Sequence, residues 1–323
     1  MRSVTRRLFL GSAAWAVVSL VSSASVAQSW PTRPVKVIVP VAAGTATDLT
    51  ARIFAEKLSP AWGQPIVVEN RPGADGLVAI GSFVAARDDH SLLFSFSTAV
   101  SLNPLIHAKL PYDPAVDLTP ITTTSEVLFG IAVHASVPAT TMKELGAHVR
   151  ANAGKLNWAA APGLPRFVLE RHRREQNLDM VYVSYNQTGS AVQDLGEGRL
   201  QAMIASVATL VPVLEANKAK LLVIASTDGS SLAPGVASAT QSGFPALAVP
   251  AVGCVYGWKD MPVALRDRLA RDIDTVARDA EIVDRLAKIG QIVRRSTPAD
   301  LARLLAQQQE TLAPLAAAMA AQK

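Results

Sequence analysis

The sequence predicts an α/β fold built in two halves. Short apolar or β-branched runs alternate with segments whose apolar residues recur at helical spacing, and the alternation passes through two series of similar size. At 323 residues, against roughly 150 per domain, two domains are expected. Loops of very small residues also fall after several of the strands, which is where open α/β sheets hold their ligands.

In the first series, Val37-Ile38-Val39 reads as a buried strand, and Leu49, Ile53, Phe54 and Leu58 form the apolar stripe of the helix after it. Strands at 66–69 and 92–94 flank a helix from about 77 to 86, and extended segments follow near 118–123 and 127–133. Thr141 and Glu144 have the spacing of a capping box, each satisfying an orphan backbone donor, and open the second series. That series continues with a strand at 156–158, a helix over 166–176, a strand at 180–183, a helix over 190–196 and strands at 202–204 and 221–225. Residues 227–253, rich in Gly, Ser, Ala and Pro, read as a connection. One more extended segment at 252–256 precedes helices over about 263–287 and 298–320. The last helix is opened by Thr297, a proline at its first position and an acidic first turn.

Composition excludes several classes. Half of the residues are hydrophobic and 18% are charged, a balance for a buried core rather than disorder. Arg2, Arg6 and Arg7 precede an apolar stretch around Ala13–Val18 that leads to the cleavage-like Ser25-Val26-Ala27, so residues 1–27 read as an export signal and the protein as periplasmic. The stretch Thr5-Arg6-Arg7-Leu8-Phe9-Leu10 fits a twin-arginine route as well as the ordinary secretory one. Its apolar core is short of the ~20 residues that span a bilayer. Losing three arginines takes the formal charge from +5 to +2, so the pI of 9.5 does not imply nucleic-acid binding. The densest basic run, Arg171-His172-Arg173-Arg174, lies between Glu170 and Glu175 and reads as the solvated face of a helix.

Catalytic and metal motifs are missing: no G-x-S-x-G, phosphate loop, G-x-G-x-x-G after a strand or H-E-x-x-H occurs. The five histidines lack metal-ligand spacing, so no metal or cofactor is expected, and the lone Cys254, in an apolar segment, reads as buried and inert. What remains is four loops. Ala43-Gly44-Thr45-Ala46-Thr47-Asp48 places trimmed side chains at a helix start, where unpaired N–H groups and the helix dipole favour an anion. The plainer alternative is that Gly44 makes a tight turn and Asp48 steadies the first helical turn. Ser95, Ser97 and Thr98 offer hydroxyls after a strand; Ala160, Ala161 and Gly163 form a third loop; Tyr185 and Thr188 belong to a fourth, with Ser206 after a further strand. With two loops in each half, a cleft between the halves is the economical arrangement.

These segments resemble a known group. Trp30-Pro31-Thr32-Arg33-Pro34-Val35 leading to the Ala43-Gly44…Asp48 loop, Val68-Glu69-Asn70-Arg71-Pro72-Gly73-Ala74, Leu110-Pro111-Tyr112-Asp113-Pro114, the Tyr185 segment with Asp194-Leu195, and Gly243-Phe244-Pro245 occur in order. Together they resemble the extracytoplasmic receptors of tripartite tricarboxylate transporters, the Bug family. The resemblance implies two Rossmann-like α/β domains joined by two crossing strands, a type II periplasmic-binding-protein Venus flytrap with its ligand cleft between the domains. Domain 1 would comprise 28–127 plus 254–323 and domain 2 would comprise 128–253. It also implies a monomeric receptor for small organic carboxylates, held by backbone N–H groups and water, whose partner is a membrane permease or a sensor. Arg71 then reads as a structural residue.

The chain departs from the family pattern at Thr45, where a second glycine is usual. It departs again at Ala160–Pro165, at Asn186-Gln187 in place of Lys-Gly, and at Ala205-Ser206 where an acidic residue is common. Domain 2 should therefore present a less polar wall, suited to a ligand with an apolar or aromatic body. The competing reading is an exported α/β enzyme acting on a small organic acid, with Ser97, Ser206 and Asp48 as the nearest candidates and no histidine tied to them. A structural envelope protein would need a repeat, and none is present.

Overall fold

The computed structural model describes residues 30–161, 163–185 and 187–320; the expected export signal over 1–27 lies outside the described residues, as do Pro162 and Asn186 of the candidate loops. The first lobe opens with β1 (Val35–Val39), α1 (Ala46–Trp62), β2 (Ile66–Asn70), α2 (Leu77–Ala86) and β3 (Ser91–Phe96). Two one-turn helices, α3 (Thr98–Ser101) and α4 (Asn103–Ile106), then lead to β4 (Thr119–Val127). In β1 the period of two is visible in the packing: Val35, Val37 and Val39 join the cluster under α1, and Ile38 joins the cluster under α2.

Only Leu128 separates β4 from β5 (Phe129–His134), which enters the second lobe. There follow α5 (Met142–Ala151), β6 (Asn157–Ala160), α6 (Leu164–Glu175), β7 (Val181–Tyr182), α7 (Thr188–Gly196), β8 (Ala202–Ser206), α8 (Val207–Glu215) and β9 (Ala219–Ile224). A long irregular segment then returns the chain to β10 (Ala251–Gly257) in the first sheet, followed by α9 (Val263–Ala277), α10 (Ala280–Lys288), β11 (Gln291–Val293) and α11 (Pro298–Ala320). The strand orders are β11-β4-β10-β3-β1-β2 and β7-β6-β8-β5-β9.

Both sheets are mixed rather than largely parallel. β2, β1 and β3 run parallel, as do β7, β6 and β8, but β10 is antiparallel to β3 and β4, and β5 is antiparallel to β8 and β9. In each lobe the strand that arrives from the other lobe is reversed, and in the first sheet the short edge strand β11 is antiparallel to β4 as well. α11 spans both: Leu301 and Leu305 pack in the first lobe, and Leu312 is buried in the core of the second.

Several local expectations change. The helix expected over 263–287 is two helices, because Asp279 turns the chain and caps α10 by accepting from the Glu281 N–H. α8 and the three-residue β11 were not anticipated. At α5 the Thr141 hydroxyl accepts from the Glu144 N–H as expected, but Glu144 reaches Thr140, whose N–H and hydroxyl both donate to it at 2.7 and 2.8 Å. The basic run is not a solvated face. Glu170 gathers Arg173 and Arg174 one turn away, His172 is buried edge-on against Phe244, and the Arg171 side chain is only 14% exposed. Cys254 is fully buried in β10, which pushes its thiol up to about 12.

Candidate functional site

All four candidate loops sit at carboxyl ends of strands, two in each lobe, as the alternation of elements requires. They differ in what their polar groups already hold. In the loop after β1, Gly44 adopts φ +82°, open to glycine without strain, and its N–H donates to Asp48 Oδ2 at 2.8 Å. Asp48 is 1% exposed and accepts also from Arg52 Nε at 3.0 Å and Asn70 Nδ2 at 2.8 Å, while Asn70 Nδ2 donates to the Val41 carbonyl. Burial alone would raise the Asp48 carboxyl; the bonds from Arg52, Gly44 and Asn70 outweigh it and hold it below the usual range.

Asp48 is thus turned inward as the knot of the loop. Thr45 is likewise committed: its hydroxyl donates to the Ala42 carbonyl and accepts from the Asp48 N–H at 3.5 Å, a long cap. The N–H groups of Ala43, Thr45, Ala46 and Thr47 have no acceptor among the described residues, and a Cβ built on Gly44 would meet nothing within 4 Å. Thr47 is itself buried.

The second loop of the first lobe follows β3. The Ser97 N–H donates to the Val252 carbonyl, and the Ser97 hydroxyl is fully buried without a partner. Ser95 is 2% exposed and Thr98 half-buried; neither hydroxyl has a partner among the described residues. Sequence reasoning passed over the segment beside them. From Gly73 to Gly76 all four residues have positive φ, including Ala74 and Asp75, a strained path held from across the lobe. Asn103, 3% exposed, donates to the Asp75 carbonyl at 3.2 Å and to Tyr112 Oη at 3.3 Å, and Tyr112 donates to the Ala99 carbonyl. Run-on patterns carry no trace of a bond between residues so far apart.

In the second lobe, the Ala161 N–H is taken by the Ile204 carbonyl, and Ala160 lies in β6 opposite Ile204. Gly163, at φ +78°, begins α6 with no side-chain cap, and proline at the second helical position removes one donor. Tyr185 donates to Asp194 Oδ2 at 2.6 Å, and Asp194 also pairs with Arg199. Burial first, then Asp194, pushes the Tyr185 hydroxyl up to about 12, so it stays neutral. Thr188 opens α7, again with no side-chain cap. Ser206 caps α8, accepting from the Thr209 N–H at 3.3 Å.

Between the lobes lies a cavity of about 380 Å³. Its walls are Pro40 and Val41, Gly73–Gly76, Ser95, Phe96, Thr98 and Asn103 from the first lobe, Val127, Phe129 and Ala251 at the crossings, and Gly163-Leu164-Pro165 from the second. Of the expected residues it gathers Ser95, Thr98 and Gly163. The 43–47 amides, Tyr185 and Thr188 lie outside it on the same set of loops, and Ser97, Ala160, Ala161 and Ser206 lie outside its walls. An open groove of about 600 Å³ between α9 and the start of α11 is larger, but its arginines and aspartates all come from the first lobe. A second cavity, of about 270 Å³, also has walls from both lobes, Thr123, Glu126, Arg294 and Arg295 from the first and Ala225-Ser226-Thr227 from the second, but it holds none of the candidate loops. The 380 Å³ cavity is larger than that one and gathers residues of those loops from both lobes, so it is the candidate site.

The three candidate catalytic groups do not assemble. Ser97, Ser206 and Asp48 are held as described, and none hydrogen-bonds a histidine. Asp88, Asp89 and His90 do lie together, but Arg33 bonds both carboxylates, at 2.6 and 2.9 Å, and the His90 ring is engaged by Asp89 and Thr32. That cluster serves as a structural tie between the start of the chain and β3. No helix among the described residues is long and apolar enough to cross a membrane.

Comparison with known proteins fits this architecture. The family model described as "Tripartite tricarboxylate transporter family receptor" matches residues 50–320. A UPF0065 protein of Bordetella bronchiseptica is 28% identical over 293 residues, 90% of this chain and 87% of that one. BugT of Bordetella pertussis is 26% identical, over 84% of this chain and 85% of its own. Among solved structures, MatC from Rhodopseudomonas palustris with bound malate superposes at a TM-score of 0.74 and 27% identity, covering 88% of this chain and 99% of that one. With two α/β lobes in the Venus-flytrap arrangement and a family match over most of its length, this chain belongs to the tripartite tricarboxylate transporter receptor family.

Proposed function

We propose that this protein is an extracytoplasmic receptor that closes its two lobes on one small organic carboxylate and presents it to a membrane permease or a sensor. The observation that carries this reading is the interlobe cavity, which brings the uncapped start of α6 opposite the unpartnered hydroxyls of Ser95 and Thr98. Backbone N–H groups at a helix start and neutral hydroxyls suit an acid group without needing a cation. Malate in MatC supports the ligand class. The lobes would hinge at Leu128, where the sequence also sets the first boundary, and near Pro250, slightly ahead of the second boundary at 253/254. Closure would bring the free amides of Ala43, Thr45, Ala46 and Thr47 and the start of α7 toward the ligand, which then favours the closed population.

The test is to release small molecules from freshly purified protein, identify them by mass spectrometry, and titrate the identified acid back by calorimetry. One-to-one binding without turnover is expected. Consumption of the acid would favour the enzyme reading, and absence of any organic acid binding would remove the receptor one.

A further inference from the structure

We infer that the interlobe cavity selects a monocarboxylic acid with a flat apolar or aromatic body over short dicarboxylic acids; this rests on the receptor reading above and names the substrate class of the same site. The polar groups of the cavity are confined to a small part of its wall. Ser95 is nine-tenths or more buried and faces the cavity, and its hydroxyl has no partner among the described residues. With the Thr98 hydroxyl and the α6 start it can donate to one carboxylate, while Asn103, whose Nδ2 is spent on Asp75 and Tyr112, shows the cavity only an acceptor oxygen. A Cβ built on Gly163 would meet nothing within 4 Å, so the backbone there is open to approach.

The remaining wall is apolar. Phe96, Leu102, Ile106, Val127, Phe129 and Leu164 surround the space, and the cavity is large enough for a ring of six atoms with its acid group. Among the described residues no lysine, arginine or histidine lines it, and the single ionisable one on the wall is Asp75, an acid, with His107 Nε2 3.1 Å from its Oδ2 but out of hydrogen-bond alignment. A second carboxylate would leave water for an apolar surface, gain no cation and meet a like charge. Arg166, next in sequence after the wall residue Pro165, is exposed and lies outside the cavity, its guanidinium 4.4 Å from the centre of the Tyr182 ring.

The test is calorimetric titration of the full exported chain with benzoate and phenylacetate against succinate, malate and adipate. At least one aromatic monoacid should bind about 30-fold or more tightly than succinate, since an uncompensated buried charge is costly to bind. Phe129→Ala should weaken the aromatic acid about tenfold, the scale of a lost hydrophobic contact in a pocket. Asp75→Asn, a change of one polar group on the rim that does not depend on core packing, should narrow the gap by improving succinate binding. Tighter binding of any dicarboxylate than of the aromatic acids overturns the inference while leaving the receptor intact. Loss of that binding in Arg166→Gln would identify the cation responsible. Binding of neither class, with no acid released from the native protein, overturns the receptor reading itself.

Discussion

In the first lobe the loop after β1 is tied down by its own side chains: one buried carboxylate, Asp48, holds Gly44, Arg52 and Asn70, and Asn103 holds the strained 73–76 segment from a distance. In the second lobe the corresponding helix starts, at Gly163 and Gln187, carry no side-chain cap, and proline has removed a donor. Equal positions in two related α/β lobes have thus been given unequal internal bonding. A loop whose path is held by its own side chains is rigid before the ligand arrives, even with the Ala43, Thr45, Ala46 and Thr47 N–H groups open. One without such ties depends on the ligand to complete it. On the proposed reading, the first lobe would receive the acid and the second would be ordered when the lobes close on it.

The harshest way to break this contrast is Asp48→Ala. It removes the shared acceptor of three donors at a 1%-exposed position, and roughly 3 kcal/mol of stability should be lost, measured by urea denaturation. Acid binding should fall with it, whereas Asp194→Ala, at the half-exposed partner of Tyr185, should cost far less. If the two cost the same, the lobes are not differently tied.

Acid separates the lobes by about as much. His172 in the second lobe is kept neutral, its imidazole pulled from 6.5 to about 4 by burial first and by Arg171 second. The unfolded chain takes up that proton at higher pH than the folded one, so the contribution is complete above 6.5 and is lost as pH falls toward 4, by about 3 kcal/mol. In the first lobe Asp88, lowered from 3.8 to about 2 chiefly by its bond from Arg33, loses its contribution only as pH falls below 3.8. Trp158 reports on the second lobe and Trp62 on the first. The Trp158 signal should move first on acidification, and His172→Gln should remove that early phase.

Smaller effects sharpen the comparison at the loop mouths. Gly163→Ala forces a side chain into φ +78° and ψ −135°, a region used almost only by glycine, and should cost about 1–2 kcal/mol by thermal denaturation together with weaker acid binding. Thr45→Ala should cost less, about 0.5 kcal/mol, because its cap bond is a long 3.5 Å.

The alternation of Val37-Ile38-Val39 with the Leu49, Ile53, Phe54 and Leu58 stripe made the first unit legible, and the same periodicities placed most other elements. α8 escaped because Val207–Glu215 is apolar on most sides and contains Pro212, which reads as a breaker. The turn between α9 and α10 escaped because no glycine or proline marks it; an aspartate does the work by accepting one backbone bond. At the site, small residues at strand ends were visible, but the use of each N–H was not. The four-residue spacing of Gly44 and Asp48 was a signal that the first amide is taken by the carboxylate. The bond from Asn103 to Asp75 joins segments remote in sequence and leaves no local mark.

The most direct measurement is the crystal structure of the protein with the tightest-binding acid from the titration panel. The account predicts carboxylate oxygens between the lobes, within hydrogen-bonding distance of the Ser95 or Thr98 hydroxyl and of main-chain N–H groups at the start of α6. An acid seated elsewhere, or bound between the lobes by an arginine or lysine with those main-chain groups left aside, would contradict it.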